Sequence, residues 1–546
     1  MAKSKPAPRK PARRAKFIFV TGGVLSSLGK GITTASIGTL LKSSGLKVTS
    51  VKLDPYLNVD AGTMNPFQHG EVYVTDDGAE TDLDLGHYER FLGVQMSAKN
   101  NVTTGKVYAT VIAKERKGDY LGATVQIVPH VIEEIKSQIL NLENGVDVIL
   151  AEVGGTVGDI ESQPFLEAIR QLGLDRRGDA VFVHLTLVPY LATVDELKTK
   201  PSQHSVQELR RIGIQPDLIV ARSTVRLNDA ARAKIALFSN VEAASVISLP
   251  DLKSIYGIPP LLKSQGVDRL LANRLGLKLG ASSGAIERWE KLAATVVSAK
   301  ESVPVAVVGK YIELRDAYKS IVESLTHAAA ALGRRIDIRW IDAEELTDRN
   351  LGEKFSGVGG ILVPGGFGER GIEGKIRAIT YARLRKVPFL GLCLGLQLCV
   401  IEFARHVLGL DGATSTEFMP HTRHPVISMM EEQKKKKQLG GTMRLGAFIC
   451  RIRPGTAAHR VYGSTRIRER HRHRYEVNTA YVKRMEQAGL VASGVDESTD
   501  LVEIVEIRGA PFFIGVQFHP EFLSSPLSPH PLFRAFAEAA MGGGAR

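Results

Sequence analysis

Short apolar, β-branched runs alternate along this chain with stretches of helical character. Phe17-Ile-Phe-Val-Thr21 reads as a strand, and beyond a glycine-rich loop residues 32–44 read as a helix that Gly45 stops. Strands are predicted again at 48–51, 146–151, 180–188 and 217–221, with an amphipathic helix over 125–143. This rhythm over residues 17–250 implies a mostly parallel sheet covered on both faces. A helical 286–300 lies in a linker, 281–302, behind which a strand at 303–308 opens a second α/β unit. The predicted organisation is a basic tail (1–16), a front domain (17–280), the linker, a second domain (303–540) and a frayed end (541–546). The fold class is α/β, with two doubly wound, mostly parallel-sheet domains.

Composition narrows the classes. At 546 residues and 44% hydrophobic content, two to four globular domains are expected. Three cysteines without a C-x-x-C pair fit a reducing cytosol rather than a disulfide framework. No apolar run has the length of a membrane span or the core of a signal peptide, so a cytoplasmic protein without membrane contact is expected. The net charge of +13 points first to nucleic acid, but residues 1–16 carry seven Lys or Arg and no acid, which leaves +6 for the other 530. The basicity is largely that tail. The remainder suits polyphosphates at least as well as a DNA groove, and no helix-turn-helix, zinc finger or RNA-binding signature is present.

At the front, Gly22-Gly-Val-Leu-Ser-Ser-Leu-Gly-Lys30-Gly31 joins a strand to a helix, the context of a phosphate-binding loop. Five residues separate Gly23 from Gly29 rather than four, and Gly31 stands where Ser or Thr normally binds magnesium. The metal must then rely on carboxylates, for which Asp84 and Glu152 are candidates. Lys52, at a strand end, is a candidate second phosphate lysine, and Lys198-Thr-Lys200-Pro-Ser-Gln203 reads equally as a triphosphate clamp or a charged surface loop.

At the back, Phe389-Leu-Gly-Leu-Cys393-Leu-Gly-Leu-Gln397 reads as a strand entering a helix through a glycine-bracketed turn with a thiol at its apex. Val516-Gln-Phe-His519-Pro-Glu521 offers a base and its orienter if the segment is extended, since residues two apart share a side. Pro364-Gly-Gly-Phe-Gly368 could aim backbone N–H groups at an oxyanion. Cys399 and Cys450 read as small buried hydrophobes. The run 466–474, RIRERHRHR, would align its arginines on one face of a strand, either as a solvated edge or as a grip on a carboxylate or nucleotide.

The back half resembles a class I glutamine amidotransferase, in which cysteine releases ammonia from glutamine. With KLDPYLNVDAGTMNPFQHGEV, DGAETDLDLGHYERF, EVGGTVGDIES, KTKPSQHSVQELR and PGGFGERGIEGKI, residues 17–535 resemble the CTP synthase family, whose front domain is of the dethiobiotin synthetase type. The resemblance implies ATP at Ser27, Leu28, Gly29, Lys30, Gly31, Ile32 and Asp84, and Mg²⁺ at Asp84 and Glu152. It implies UTP, or CTP as feedback inhibitor, at Ser26, Asp159, Ile160, Glu161, Lys198, Thr199, Lys200, Pro201, Ser202, Gln203 and Lys234. Glutamine would meet Gly366, Leu394, Gly395, Leu396, Gln397, Glu417 and Arg474, with Cys393, His519 and Glu521 catalytic. The Arg370-Gly371 turn is similar to the stretch tied to GTP activation, and the loop with Pro66, His69 and Val72 to an ammonia passage. A homotetramer, with filaments as a further assembly, is implied as well. The rivals are a glutamine-dependent ligase acting on carboxylates and a partition-type, nucleic-acid-binding ATPase.

Overall fold

The computed structural model describes residues 14–65, 69–281, 284–310, 312, 314–429 and 443–542. Most of the basic tail, Pro66, the lysine run 431–437 and the last four residues lie outside the described residues. Lys16, which the sequence reading places in the tail, opens the first strand. By contact the chain divides into one unit of residues 1–59 and 99–290 and another of 60–98 and 291–546.

The first unit is built on seven strands: β1 (Lys16–Gly22), β2 (Val48–Asp54), β3 (Asn101–Thr103), β4 (Val148–Val153), β5 (Ala180–Leu187), β6 (Leu218–Ser223) and β7 (Val246–Pro250). Their order is β7-β6-β5-β1-β4-β2-β3, every pairing parallel. Phe17, Ile18, Phe19 and Val20 are all fully buried, and successive strand residues face opposite ways, so both faces of the sheet are covered. The amphipathic stretch at 125–143 forms an α-helix over Ile132–Leu140, preceded by a distorted π-helical turn at Ile127–Val131. Val128 precedes Pro129 and is held extended at φ −106°, ψ 121°, which keeps that helix from starting earlier.

The second unit carries β8 (Ser302–Gly309), β9 (Arg335–Asp342), β10 (Gly360–Val363), β11 (Phe389–Leu392), β12 (Arg444–Ile452), β13 (Arg466–His473), β14 (Leu490–Asp496), β15 (Val502–Ile507) and β16 (Phe513–Val516). The order is β9-β8-β10-β11-β16-β15-β14-β12-β13, parallel as far as β16 and antiparallel beyond it. Val303, Val305 and Val307 belong to one hydrophobic cluster and Ala306 and Val308 to another, so each face of this sheet has its own core.

Residues 60–98, which the sequence reading assigns to the front domain, pack in the second unit. They include a short hairpin (Tyr73–Val74 against Glu80–Thr81) and a helix Asp84–Leu92. The polar density of this segment reads locally as a loop. Its partners lie nearly four hundred residues downstream.

Candidate functional site

Cys393 follows β11 and caps the helix Leu394–His406 at φ 51°, ψ −101°, a strained backbone for a residue with a Cβ. The glycines on either side make the turn possible. A Cβ on Gly391 would stand 2.8 Å from the Gly395 carbonyl carbon, and one on Gly395 would stand 2.3 Å from the Val363 oxygen. The Cys393 N–H donates to the Val516 carbonyl at 2.7 Å, tying the elbow to β16. Its sulfur lies 3.9 Å from the Arg472 carbonyl and 3.8 Å from Gln517 Nε2.

His519 and Glu521 do meet, but not along an extended strand. β16 ends at Val516, and Pro520–Phe522 is a single helical turn behind His519. Across that turn His519 Nδ1 and Glu521 Oε1 are 2.8 Å apart. A Cβ on Gly365 would be 3.0 Å from His519 Cε1 and 3.5 Å from Cys393 Cβ, so base and thiol flank the same glycine. The Cys393 sulfur is near enough to His519 to act on its charge. Burial alone would lower the imidazole pKa, but Glu521 and the sulfur outweigh it and raise it to about 10. A cavity of about 280 Å³ opens here, lined among others by Glu71, Val72, Gly366, Cys393 and His519.

Leu394, Gly395, Leu396 and Gln397 form the first turn of the helix behind the thiol. Gln397 is buried, and its amide donates to the Tyr475 carbonyl at 2.9 Å, so it braces the backbone. Glu417 accepts from the Gly368 N–H at 2.9 Å, and burial raises its pKa, while Arg474, just past β13, opposes that shift. Arg370 binds Glu344 and the Lys310 carbonyl, both at 2.8 Å. Burial pushes up the Cys399 and Cys450 thiols, as suits packing residues.

The arginines of β13 do share a face, and Arg468, Arg470 and Arg472 bind the protein's own carboxylates. Arg468 and Arg470 bind Asp76, Arg470 also binds Glu89 at 2.8 Å, and Arg472 binds Glu80 at 2.7 Å. Arg470 is fully buried. These bonds fasten residues 60–98 to the edge of the nine-stranded sheet.

In the first unit, the loop after β1 leads into the helix Lys30–Ser43 through Gly29 at φ 90°, with Val24 and Ser27 also at positive φ. Lys30 is buried and donates to the Gly155 carbonyl at 2.6 Å. Lys52, read as a second phosphate lysine, pairs with Glu152 at 2.9 Å, and both side chains are buried. Leu28 is buried and Ser26 and Ser27 are exposed beside them; Gly31 and Ile32 sit in the helix's first turn. Among the described residues no three His, Cys, Asp or Glu converge as a metal site. Glu152, at the end of β4 three residues before Lys30's acceptor, suits magnesium as a single carboxylate, because that ion keeps several waters and bridges phosphates. Asp84 opens the helix Asp84–Leu92 in the other unit, where its N–H donates to Asp82 at 3.1 Å.

Two family descriptions match the chain: "CTP synthase N-terminus" over residues 16–277 and "Glutamine amidotransferase class-I" over 313–539. A CTP synthase of Caldanaerobacter subterraneus subsp. tengcongensis is 56% identical over 530 residues, covering 96% of this chain and 98% of its own. The chain belongs to the CTP synthase family. A CTP synthase of Geobacter metallireducens is likewise 56% identical over 530 residues, with 97% of this chain and 98% of that one covered. Among solved structures, the Trypanosoma brucei CTPS glutaminase domain with bound acivicin is 41% identical, covering 44% of this chain and 94% of its own at a TM-score of 0.42.

For the positions that the CTP synthase resemblance ties to UTP and CTP, the structure sorts outward from inward groups. Asp159 accepts from the Thr156 N–H at 2.9 Å and leads into the short turn Ile160–Ser162, with Ile160 and Glu161 exposed. Lys200 and Lys234 are exposed, and Lys198 pairs with Glu196, on whose charge Lys234 also acts. Pro201 starts a helix, while Ser202 and Gln203 turn inward, to the Leu187 carbonyl and the Thr199 hydroxyl. Of the clamp the sequence offers, Lys200 stands exposed, Lys198 is paired with Glu196, and Ser202 and Gln203 bond to the protein itself. His69, near Asp82, and Val72, on the cavity wall, belong to the described part of the loop likened to an ammonia passage. The sequence reading missed Glu71, Tyr73 and Gln517; Glu71 and Gln517 stand inside quoted motifs that could have flagged them, and Tyr73 does not.

Proposed function

We infer that this chain aminates UTP to CTP at the expense of ATP, drawing nitrogen from glutamine. The observation that carries the reading is the strained Cys393 elbow sharing Gly365 with a buried His519–Glu521 pair, in a chain whose other unit holds a lysine loop at a sheet end. Cys393 attacks the glutamine amide carbon, and His519 passes the proton to the departing nitrogen. Glu521 fixes the imidazole so that Nε2 faces the sulfur. Water then cleaves the thioester to glutamate. The ammonia leaves through the cavity wall formed by Glu71 and Val72. In the first unit Lys30 orients and neutralises phosphate oxygens while the γ-phosphoryl group of ATP moves to the 4-oxygen of uracil; ammonia then displaces phosphate at C4.

Magnesium, when bound, supplies charge neutralisation on the phosphates, with Glu152 and Asp84 as the proposed holders. GTP as an activator near Arg370-Gly371, CTP as a feedback inhibitor and a homotetramer belong to the same proposal. Nucleotides resolved by chromatography after incubation with UTP, ATP, magnesium and either glutamine or ammonium test it. The parent should form CTP from both nitrogen sources and Cys393→Ala from ammonium alone. Failure of the parent to aminate UTP, or loss of both routes in the variant, would sink the reading.

A further inference from the structure

The turn that carries the base and its orienter is held from outside by residues 60–98. On one side, the Tyr73 hydroxyl contacts the Phe522 carbonyl at 2.9 Å, and the Tyr73 ring meets the Phe522 ring edge-on at 5.0 Å. The Phe522 ring in turn stacks on the His519 imidazole at 5.3 Å and 18°. On the other side, the His519 N–H donates to the Arg470 carbonyl at 2.7 Å. The same Arg470 sends its buried guanidinium to Glu89 at 2.8 and 3.1 Å, to the Tyr73 hydroxyl at 3.0 Å and to the Val74 carbonyl at 3.0 Å. The two supports therefore meet at one point, the Tyr73 hydroxyl, which also reaches Glu89.

Chemistry fixes how that point behaves. Burial first, then the Glu89 carboxylate, drives the phenol pKa far above its ordinary value, so the hydroxyl keeps its proton throughout the working range. Glu89 and the Phe522 carbonyl both accept from that one proton while Arg470 donates to the oxygen. A buried charge so fully paired resists displacement, because losing a partner leaves a desolvated charge.

We propose that Tyr73, bridging Glu89 and Arg470 to the Phe522 carbonyl, is a positioning residue for the glutaminase, setting the distance and angle of the His519 imidazole to the Cys393 sulfur. It touches neither glutamine nor the reacting atoms and acts through Phe522 and Arg470. A segment lying in the synthetase half of the sequence thus sets the geometry of the ammonia-producing site. The proposal rests on the functional reading above.

The test compares glutamine-dependent with ammonium-dependent CTP formation in the full-length parent, in Tyr73→Phe, which keeps the ring, and in Glu89→Gln, which keeps the shape. A parent that forms CTP from both sources upholds the functional reading whatever the variants do. The expected result is a glutamine-dependent kcat about tenfold lower in each variant, since small misplacements of a catalytic group cost heavily. KM for glutamine and the ammonium-dependent rate should stay within about twofold of the parent. Equal loss of both routes would mean a merely structural role. That result, or unchanged rates by both routes, would overturn the proposal.

Discussion

The two candidate sites handle charge in opposite ways. Around Cys393 the protein has already placed strain, base and orienter: a positive-φ thiol, an imidazole raised to about 10, and a carboxylate 2.8 Å behind it. Around Lys30 the cationic groups are occupied by the protein itself, Lys30 by a carbonyl and Lys52 by Glu152. One site is preorganised for a neutral substrate whose charge develops during reaction. The other is self-neutralised, so an anionic ligand there would have to exchange its contacts for those the protein already makes.

The largest expected effect tests the second site. Lys30→Ala should lower CTP formation from glutamine and from ammonium alike, by about 10²–10³. Glutamine hydrolysis measured without nucleotides should survive, and a parallel fall there would erase the contrast. Next, Glu521→Gln should cost about 10² in glutaminase kcat. Because the carboxylate raises His519 and burial lowers it, removing the carboxylate lowers the imidazole pKa, and the alkaline limb of the glutaminase profile should move to lower pH from about 10. An unmoved limb would show that Glu521 does not set the charge.

Smaller effects sharpen the comparison through stability. Lys52→Met strands a buried Glu152, at a cost of about 3–5 kcal/mol, and should lower Tm at pH 7 by several degrees. An unchanged Tm would mean that the pair is not self-neutralising. The smallest effect concerns Glu71, on the wall of the thiol cavity, which burial raises to about 7 against the pull of Ser320 and Arg90 and with Glu521 adding to the rise. Its folded pKa exceeds its unfolded one, so the native state binds the extra proton and stability falls as pH rises from about 4.5 to about 7. Glu71→Gln should flatten that fall, gaining about 2 °C at pH 8 relative to pH 5 by differential scanning fluorimetry.

Much of this was legible because it is local. The strand-loop-helix around Lys30 and the elbow around Cys393 are each written in about a dozen consecutive residues, where glycine and β-branched patterns carry the geometry. His519 and Glu521 were paired correctly from the wrong picture, since a turn rather than pleat alternation brings them together. What was not legible depends on distance along the chain. Lys52 and Glu152 meet because β2 and β4 are parallel neighbours, a register that no local pattern encodes. The arginine stripe of β13 announced a one-sided strand, but its carboxylates lie 381 and more residues upstream, at Glu89, Asp76 and Glu80. Hydrophobic periodicity says which face is buried and not what buries it.

The late arrival of Arg470 also bears on biosynthesis. Residues 60–98 leave the ribosome before the strand that neutralises Asp76, Glu80 and Glu89 has been translated, and at ordinary elongation speeds that strand follows roughly 20–75 s later. Until then the early-made acids must stay hydrated or shielded by a chaperone, and a nascent chain cut short before residue 466 keeps them without their arginines.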